Sequence, residues 1–105
     1  MKSKYHKIAR ELKKRLSQVT NLIDFKVFGS LVRGDNDEYS DMDVFLEVEK
    51  LERKTKSKIL DVVWETGFKH SIVISPLIFT RHEIEKSPLR VSPIVKNIAR
   101  EGIAV

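Results

Sequence analysis

Cysteine is absent from the 105 residues, which excludes disulfide staples and any zinc site built on thiolates. No apolar run approaches the length of a membrane span. The lysine-rich start lacks the apolar segment of a signal peptide, so the expected setting is cytoplasmic and away from membranes. There is no repeat, low-complexity tract or flexible linker. Acidic residues are missing from one stretch in particular: residues 66–82 contain neither Asp nor Glu.

The residues present suit a folded protein. Hydrophobic side chains make up 41% and charged ones 33%, a balance typical of globular chains rather than disordered ones. The length allows one compact domain with one modest core, residues 1–105. The net charge of +5 hides a segregation: residues 1–20 carry seven Lys/Arg and one Glu, whereas 35–52 carry eight acids and one Lys. A basic chain raises the question of nucleic acid. No aromatic or glycine-rich RNA-binding pattern accompanies the lysines, so the basic stretch reads as a solvated helix face and nucleic acid is not the expected partner.

Tyr5, Ile8, Ala9, Leu12, Leu16 and Val19 recur at three- and four-residue steps and predict an amphipathic helix from Ser3 to Val19. Asn21 to Phe28 reads as a strand, stopped by Gly29. Glu52 to Thr66 reads as a second helix, with Ile59, Leu60, Val63 and Trp64 on its inner side and Gly67 as its stop. Trp64 is expected in the core. Phe68 to Phe79 predicts a third strand, buried by β-branched residues, with Pro76 marking an edge or a bulge. Thr80 and Glu83 form a capping box. Ser87-Pro88 and Ser92-Pro93 look like helix starts, Gly102 like a stop, and Ile103 to Val105 like a short edge strand.

The most informative stretch lies between Val27 and Val48. Gly29 permits a backbone shape closed to other residues, and Ser30 opens a short turn closed by Arg33-Gly34. Free N–H groups at such a turn, beside a serine hydroxyl, suit a phosphate. Asp41 and Asp43 stand two apart at the start of a strand running to Val48, so both project from one face while Met42, Val44, Leu46 and Val48 take the other. Like charges held together call for a cation, and hard oxygen ligands suit magnesium or manganese. A phosphate cradle beside two carboxylates indicates metal-assisted phosphoryl or nucleotidyl transfer. Arg33 has two readings, contact with a phosphate or an ion pair that braces the loop. Asp35, Asp37 and Glu38 read as turn residues and solvated charge. Ser40 is placed to cap the turn and orient Asp41. Glu47 shares the face of the two aspartates one repeat further on and is expected in solvent.

The run Gly29-Ser30-x-x-Arg33-Gly34, followed by Ser40-Asp41-x-Asp43 leading into an apolar strand, resembles the signature of the polymerase-beta-like nucleotidyltransferase superfamily, and within it the minimal nucleotidyltransferases. The resemblance implies an α+β fold with a small mixed sheet flanked by helices. It also implies transfer of a nucleoside monophosphate, AMP, from ATP or another nucleoside triphosphate to an acceptor hydroxyl. Carried over, Asp41 and Asp43 are the catalytic metal ligands, and Gly29, Ser30, Arg33 and Ser40 bind the nucleotide. Minimal nucleotidyltransferases commonly pair with a small helical HEPN-domain protein, which implies such a partner and an antitoxin role, and a homo-oligomer stays open. Active members place a third carboxylate on the strand after the Asp-x-Asp strand, where this chain has its acid-free stretch; His70, Ser71, Ser75 and Glu83 lie near that place. The competing reading is a nucleotidyltransferase-fold module that binds a partner protein without catalysis.

Overall fold

The structure, a computed structural model, describes residues 1–37 and 39–105; the expectation for Glu38 lies outside the described residues. Helix α1 spans Ser3–Ser17, and its stripe of Ile8, Ala9, Leu12 and Leu16 is buried. Strand β1, Leu22–Phe28, is followed by the single turn α2, Ser30–Arg33, and by strand β2, Met42–Val48. Helix α3, Arg53–Lys69, crosses over to strand β3, Ile74–Thr80. The chain then forms α4, Arg81–Lys86, a 3-10 turn at Pro88–Val91, α5, Pro93–Glu101, and strand β4, Ile103–Ala104. Among the described residues no helix is long and apolar enough to cross a membrane.

The four strands form one mixed sheet in the order β3-β2-β1-β4. β1 runs antiparallel to both β2 and β4, while β3 is parallel to β2. A parallel pair needs a long crossover, and α3 supplies it. The central strand β2 is buried on both faces over most of its length, and on its inner face Met42, Val44, Leu46 and Val48 are all 0% exposed. They pack with α1 and with Ile59, Val62 and Val63 of α3 in one core. Burying each such side chain contributes roughly 1.5–3 kcal/mol, so this face fixes the strand's register. A slip of one residue would turn all four outward.

Four expectations are corrected. Glu47 is buried, at 9% exposed, because α4 lies against its face of the sheet. Trp64 is 68% exposed; the buried stripe of α3 is Ile59, Val62, Val63, Thr66 and Gly67, and Trp64 lies one residue, about 100° of helix rotation, past Val63. Gly67 sits inside the helix. A Cβ there would meet the Ile72 carbonyl oxygen at 2.6 Å, so the glycine lets the returning chain pass close by rather than ending α3. Phe68 therefore belongs to the helix, 75% exposed and stacked on Trp64 with ring centroids 5.2 Å apart. The third strand starts only at Ile74, its one buried residue, since β3 is a sheet edge with Pro76 at its middle.

The C-terminal region follows the sequence signals. Thr80 and Glu83 form the capping box, and Ser87 Oγ accepts the Leu89 N–H at the proline-led 3-10 turn. β4 pairs with Lys26 and Val27 of β1.

Candidate functional site

The site forms where β1 ends beside the start of β2. After Phe28 the chain turns at Gly29 with φ 83° and ψ −154°, a region open in practice only to glycine. The Gly29 carbonyl accepts the N–H groups of Val32 and Arg33, both at 3.1 Å. The N–H groups of Ser30 and Leu31 stay outside the turn's own bonding. Gly34 closes α2 at φ 82°, its N–H donating to the Ser30 carbonyl at 2.9 Å.

Phe28 is the cross-strand partner of Asp43, which brings the aspartate to the glycine corner. A Cβ added to Gly29 would lie 3.2 Å from Asp43 Cγ and 3.4 Å from its Cβ. The missing side chain is thus the space the carboxylate occupies. Asp43 is half-buried and Asp41, just before β2, is exposed. Burial pushes the Asp43 carboxyl above its ordinary range, and the charge of Asp41 pushes it the same way, with Arg33 opposing both. The two carboxylates therefore act on each other, and Asp43 sits directly at the Gly29 corner.

The other sequence-predicted residues take definite places. Arg33 forms ion pairs with Asp35 at 3.3 Å and with Glu101 of α5 at 3.8 Å. It ties the loop to the C-terminal helix, a contact that sequence spacing gave no sign of, and its charge reaches Asp43 without a bond. Ser40 Oγ accepts the Asp37 N–H at 3.0 Å, and Asp37 Oδ1 accepts the Tyr39 N–H at 2.8 Å. Asp37 thereby organises the turn that delivers Asp41, which is more than a solvated charge. Asp35 is an ion-pair partner rather than a free one.

The parallel register sets Ser75 directly beside Asp43 on β3, on the same face of the sheet. The other neighbours of that stretch are engaged elsewhere. His70 Nε2 lies 3.1 Å from Glu11 Oε2 on α1, Ser71 turns the chain at φ 54°, and Glu83 belongs to its cap. Among the described residues no group of three His, Cys, Asp or Glu could hold a metal ion. The donor chemistry fits a hard divalent cation all the same. Two oxygen ligands whose mutual charge is unfavourable gain from a cation between them, and magnesium completes its shell with waters and phosphate oxygens.

Comparison with known proteins agrees with this geometry. Residues 6–105 match the family model described as nucleotidyltransferase domain. A protein of Methanocaldococcus jannaschii named "Putative protein adenylyltransferase" is 38% identical over 77 residues, which is 70% of this chain and 78% of that one. A crystal structure from Sulfolobus solfataricus, described as "a putative nucleotidyltransferase", superposes with a TM-score of 0.56 over 93% of this chain and 76% of that chain. Its identity is 19%, so the likeness carries the fold alone.

Proposed function

This chain belongs to the nucleotidyltransferase domain family, and from that premise we propose that it moves AMP from ATP to an acceptor hydroxyl. The observation that carries the reading is the fit of the Asp43 carboxylate into the space left by Gly29, which sets an acidic group against the turn offering free N–H groups. The archaeal relative's name supports the adenylyl group.

In this reading Asp41 and Asp43 hold magnesium or manganese. A divalent cation bound there supplies positive charge where the α-phosphate gains negative charge. Ser30, through its hydroxyl and N–H, and Leu31, through its N–H, donate to phosphate oxygens, and Gly29 keeps the corner clear of a side chain. Arg33 adds positive charge from the side, and Ser40 holds the loop so that Asp41 points at the same place. The acceptor oxygen bonds to the α-phosphorus while the bridge to the β-phosphate breaks, and pyrophosphate leaves. Residues 1–105 act as one domain, in the cytoplasm where ATP is supplied. A small helical HEPN-type protein is the partner, with this chain as the antitoxin half of the pair.

Ser75 beside Asp43 favours a second reading, a module that binds nucleotide or partner and does not catalyse. One experiment separates them. ATP labelled on the α-phosphate is incubated with magnesium, the purified protein and candidate acceptors, and thermal stability is followed in parallel. A nucleotidyltransferase gains stability with both ligands, by about 2.7 kcal/mol at a hundredfold excess over the dissociation constant, and passes label that Asp43→Asn does not pass. Stabilisation without label supports the module. The absence of both responses overturns nucleotide handling altogether.

A further inference from the structure

Arg33, the cation of the glycine corner, is held by two carboxylates of different origin. Asp35 belongs to the same loop and accepts a hydrogen bond from Arg33 Nε at 3.3 Å. Glu101 comes from the far end of the chain, its Oε2 lying 3.8 Å from Arg33 Nη1. That separation makes an ion pair and not a hydrogen bond. Among the described residues the Nη groups of Arg33 donate no hydrogen bond, and the side chain is 50% exposed. A guanidinium presents its N–H donors as a rigid fork, so most of this fork stays open to a ligand.

Glu101 is the more firmly placed of the two acids. It ends α5, whose Ile98 is buried. At the next residue a Cβ on Gly102 would lie 3.3 Å from Lys26 Cβ, so the missing side chain lets the end of α5 rest directly on β1. Ile103 then pairs with Val27, two residues before Gly29. The other cation near Glu101 is Arg100 at 3.9 Å, which donates to Asn97 Oδ1 at 2.8 Å and is thereby kept on its own helix.

We propose that Glu101 is a positioning residue for the nucleotide site: through Arg33 it aims the open guanidinium fork at the polyphosphate tail of the bound nucleoside triphosphate. Resting on the nucleotidyl-transfer reading, this role joins the C-terminal helix to the phosphate turn. Arg33 closes α2, one turn after Ser30, so a phosphate chain held by the free N–H groups of that turn lies within the length of an arginine. Two simpler roles behave differently. A brace that only ties the loop to α5 leaves ligand affinity alone, and exposed pairs of this kind add little to stability. A bare negative charge repels the triphosphate, so its removal tightens binding. Aiming outweighs repulsion here, because salt screens exposed charges whereas an arginine gives up much rotamer freedom on binding and a preset one gives up less.

Binding is followed through the thermal stability of the full chain, with magnesium present and ATP, inorganic tripolyphosphate and AMP as probes. Glu101→Gln keeps the reach of the side chain without its charge, and Glu101→Asp keeps the charge without the reach. Each is expected to weaken binding of ATP and tripolyphosphate about threefold or more and to leave AMP unchanged. Arg33→Ala weakens the same two about tenfold or more, and Glu101→Gln adds nothing in that background. Binding by Glu101→Asp equal to wild type, tighter binding by Glu101→Gln, an equal loss for AMP, or a loss that adds to that of Arg33→Ala overturns the role of Glu101. If the wild type responds to neither ATP nor tripolyphosphate, the nucleotide reading falls with it. If the wild type binds both and neither Glu101 variant matters, only the role of Glu101 falls.

Discussion

Replacing Gly29 with alanine should damage stability and the site together, by two effects that can be separated. The first is the backbone. Gly29 has φ 83° and ψ −154°, and holding a side-chain-bearing residue in so sparse a region costs about 1–3 kcal/mol. The second is collision, since the new Cβ would overlap the Asp43 carboxylate, whose Cγ is 3.2 Å away. Gly34 provides the control. Its φ is 82°, yet nothing lies within 4 Å of a Cβ placed there, so Gly34→Ala carries only a backbone penalty, roughly 1–2 kcal/mol for a left-handed residue.

Chemical denaturation of both variants measures these costs, and a double-mutant cycle isolates the collision. Asp43→Ala removes the carboxylate that the new methyl group would strike. In the Asp43→Ala background, Gly29→Ala should therefore cost less than in the wild type, with a coupling of roughly 0.5–3 kcal/mol for residues in contact. Each kcal/mol corresponds to about 4–8 °C in melting temperature for a domain near this size, well within calorimetric reach. Additive costs, or a Gly29→Ala no worse than Gly34→Ala, would refute the claim that Gly29 is there to seat Asp43.

Three further outcomes follow from the same geometry. The Glu47 carboxyl is pushed up first by burial, then by Asp24 and Glu85, with Arg81 opposing; the folded state holds this proton more tightly, so the stability it contributes is full below the ordinary value of 4.5 and is lost as pH rises through the raised one. Glu47→Gln should thus melt higher than wild type at neutral pH and lose that advantage in acid; an equal gain at all pH values would contradict this. Glu11 is held low chiefly by the Lys69 hydrogen bond, opposed by partial burial and aided by His70, so its contribution is present above its ordinary value and disappears as pH falls through the lowered one. Glu11→Gln should lower the melting temperature at neutral pH and leave it unchanged in strong acid. Ser75→Asp puts a third carboxylate beside Asp43 in the parallel register; it should destabilise the metal-free protein by like-charge repulsion and steepen stabilisation by magnesium, and titrations with the same slope as wild type would show that Ser75 does not face the site.

What could be read from the sequence is what local spacing governs. The stripe of α1 and the inner face of β2 depend on residues within a few positions of one another, and both hold, as do the capping box at Thr80 and Glu83 and the closing strand. The features that escaped depend on pairings between distant segments. Nothing near Trp64 in sequence reveals that the buried stripe of α3 is Ile59, Val62, Val63, Thr66 and Gly67, because Leu60 and Trp64 extend the apolar run and yet are exposed. Glu47 looked solvent-bound because α4, which covers it, is set by the path of the chain after β3. Ser75 could be named as a neighbour of the aspartates, but only the parallel register, fixed by four buried residues of β2, sets it beside Asp43.

The glycine corner obeys the same division. Gly29 and Asp43 are far apart along the chain, and each by itself is an ordinary residue. Their contact follows from the antiparallel pairing of Phe28 with Asp43, and that pairing follows from burying Met42 and Val44 on the opposite face. Sequence motif and core packing therefore specify one constraint twice. A substitution that shifts β2 by one residue would remove Asp43 from the corner without touching a polar atom. Inserting one residue between Ser40 and Asp41 tests this, since the turn and not the strand should absorb it. The core of β2 then keeps its register, amide exchange in β2 stays slow, and Asp43 stays beside Gly29. If exchange along β2 instead becomes fast, the strand has moved with the loop, and the loop rather than the core sets the position of the aspartates.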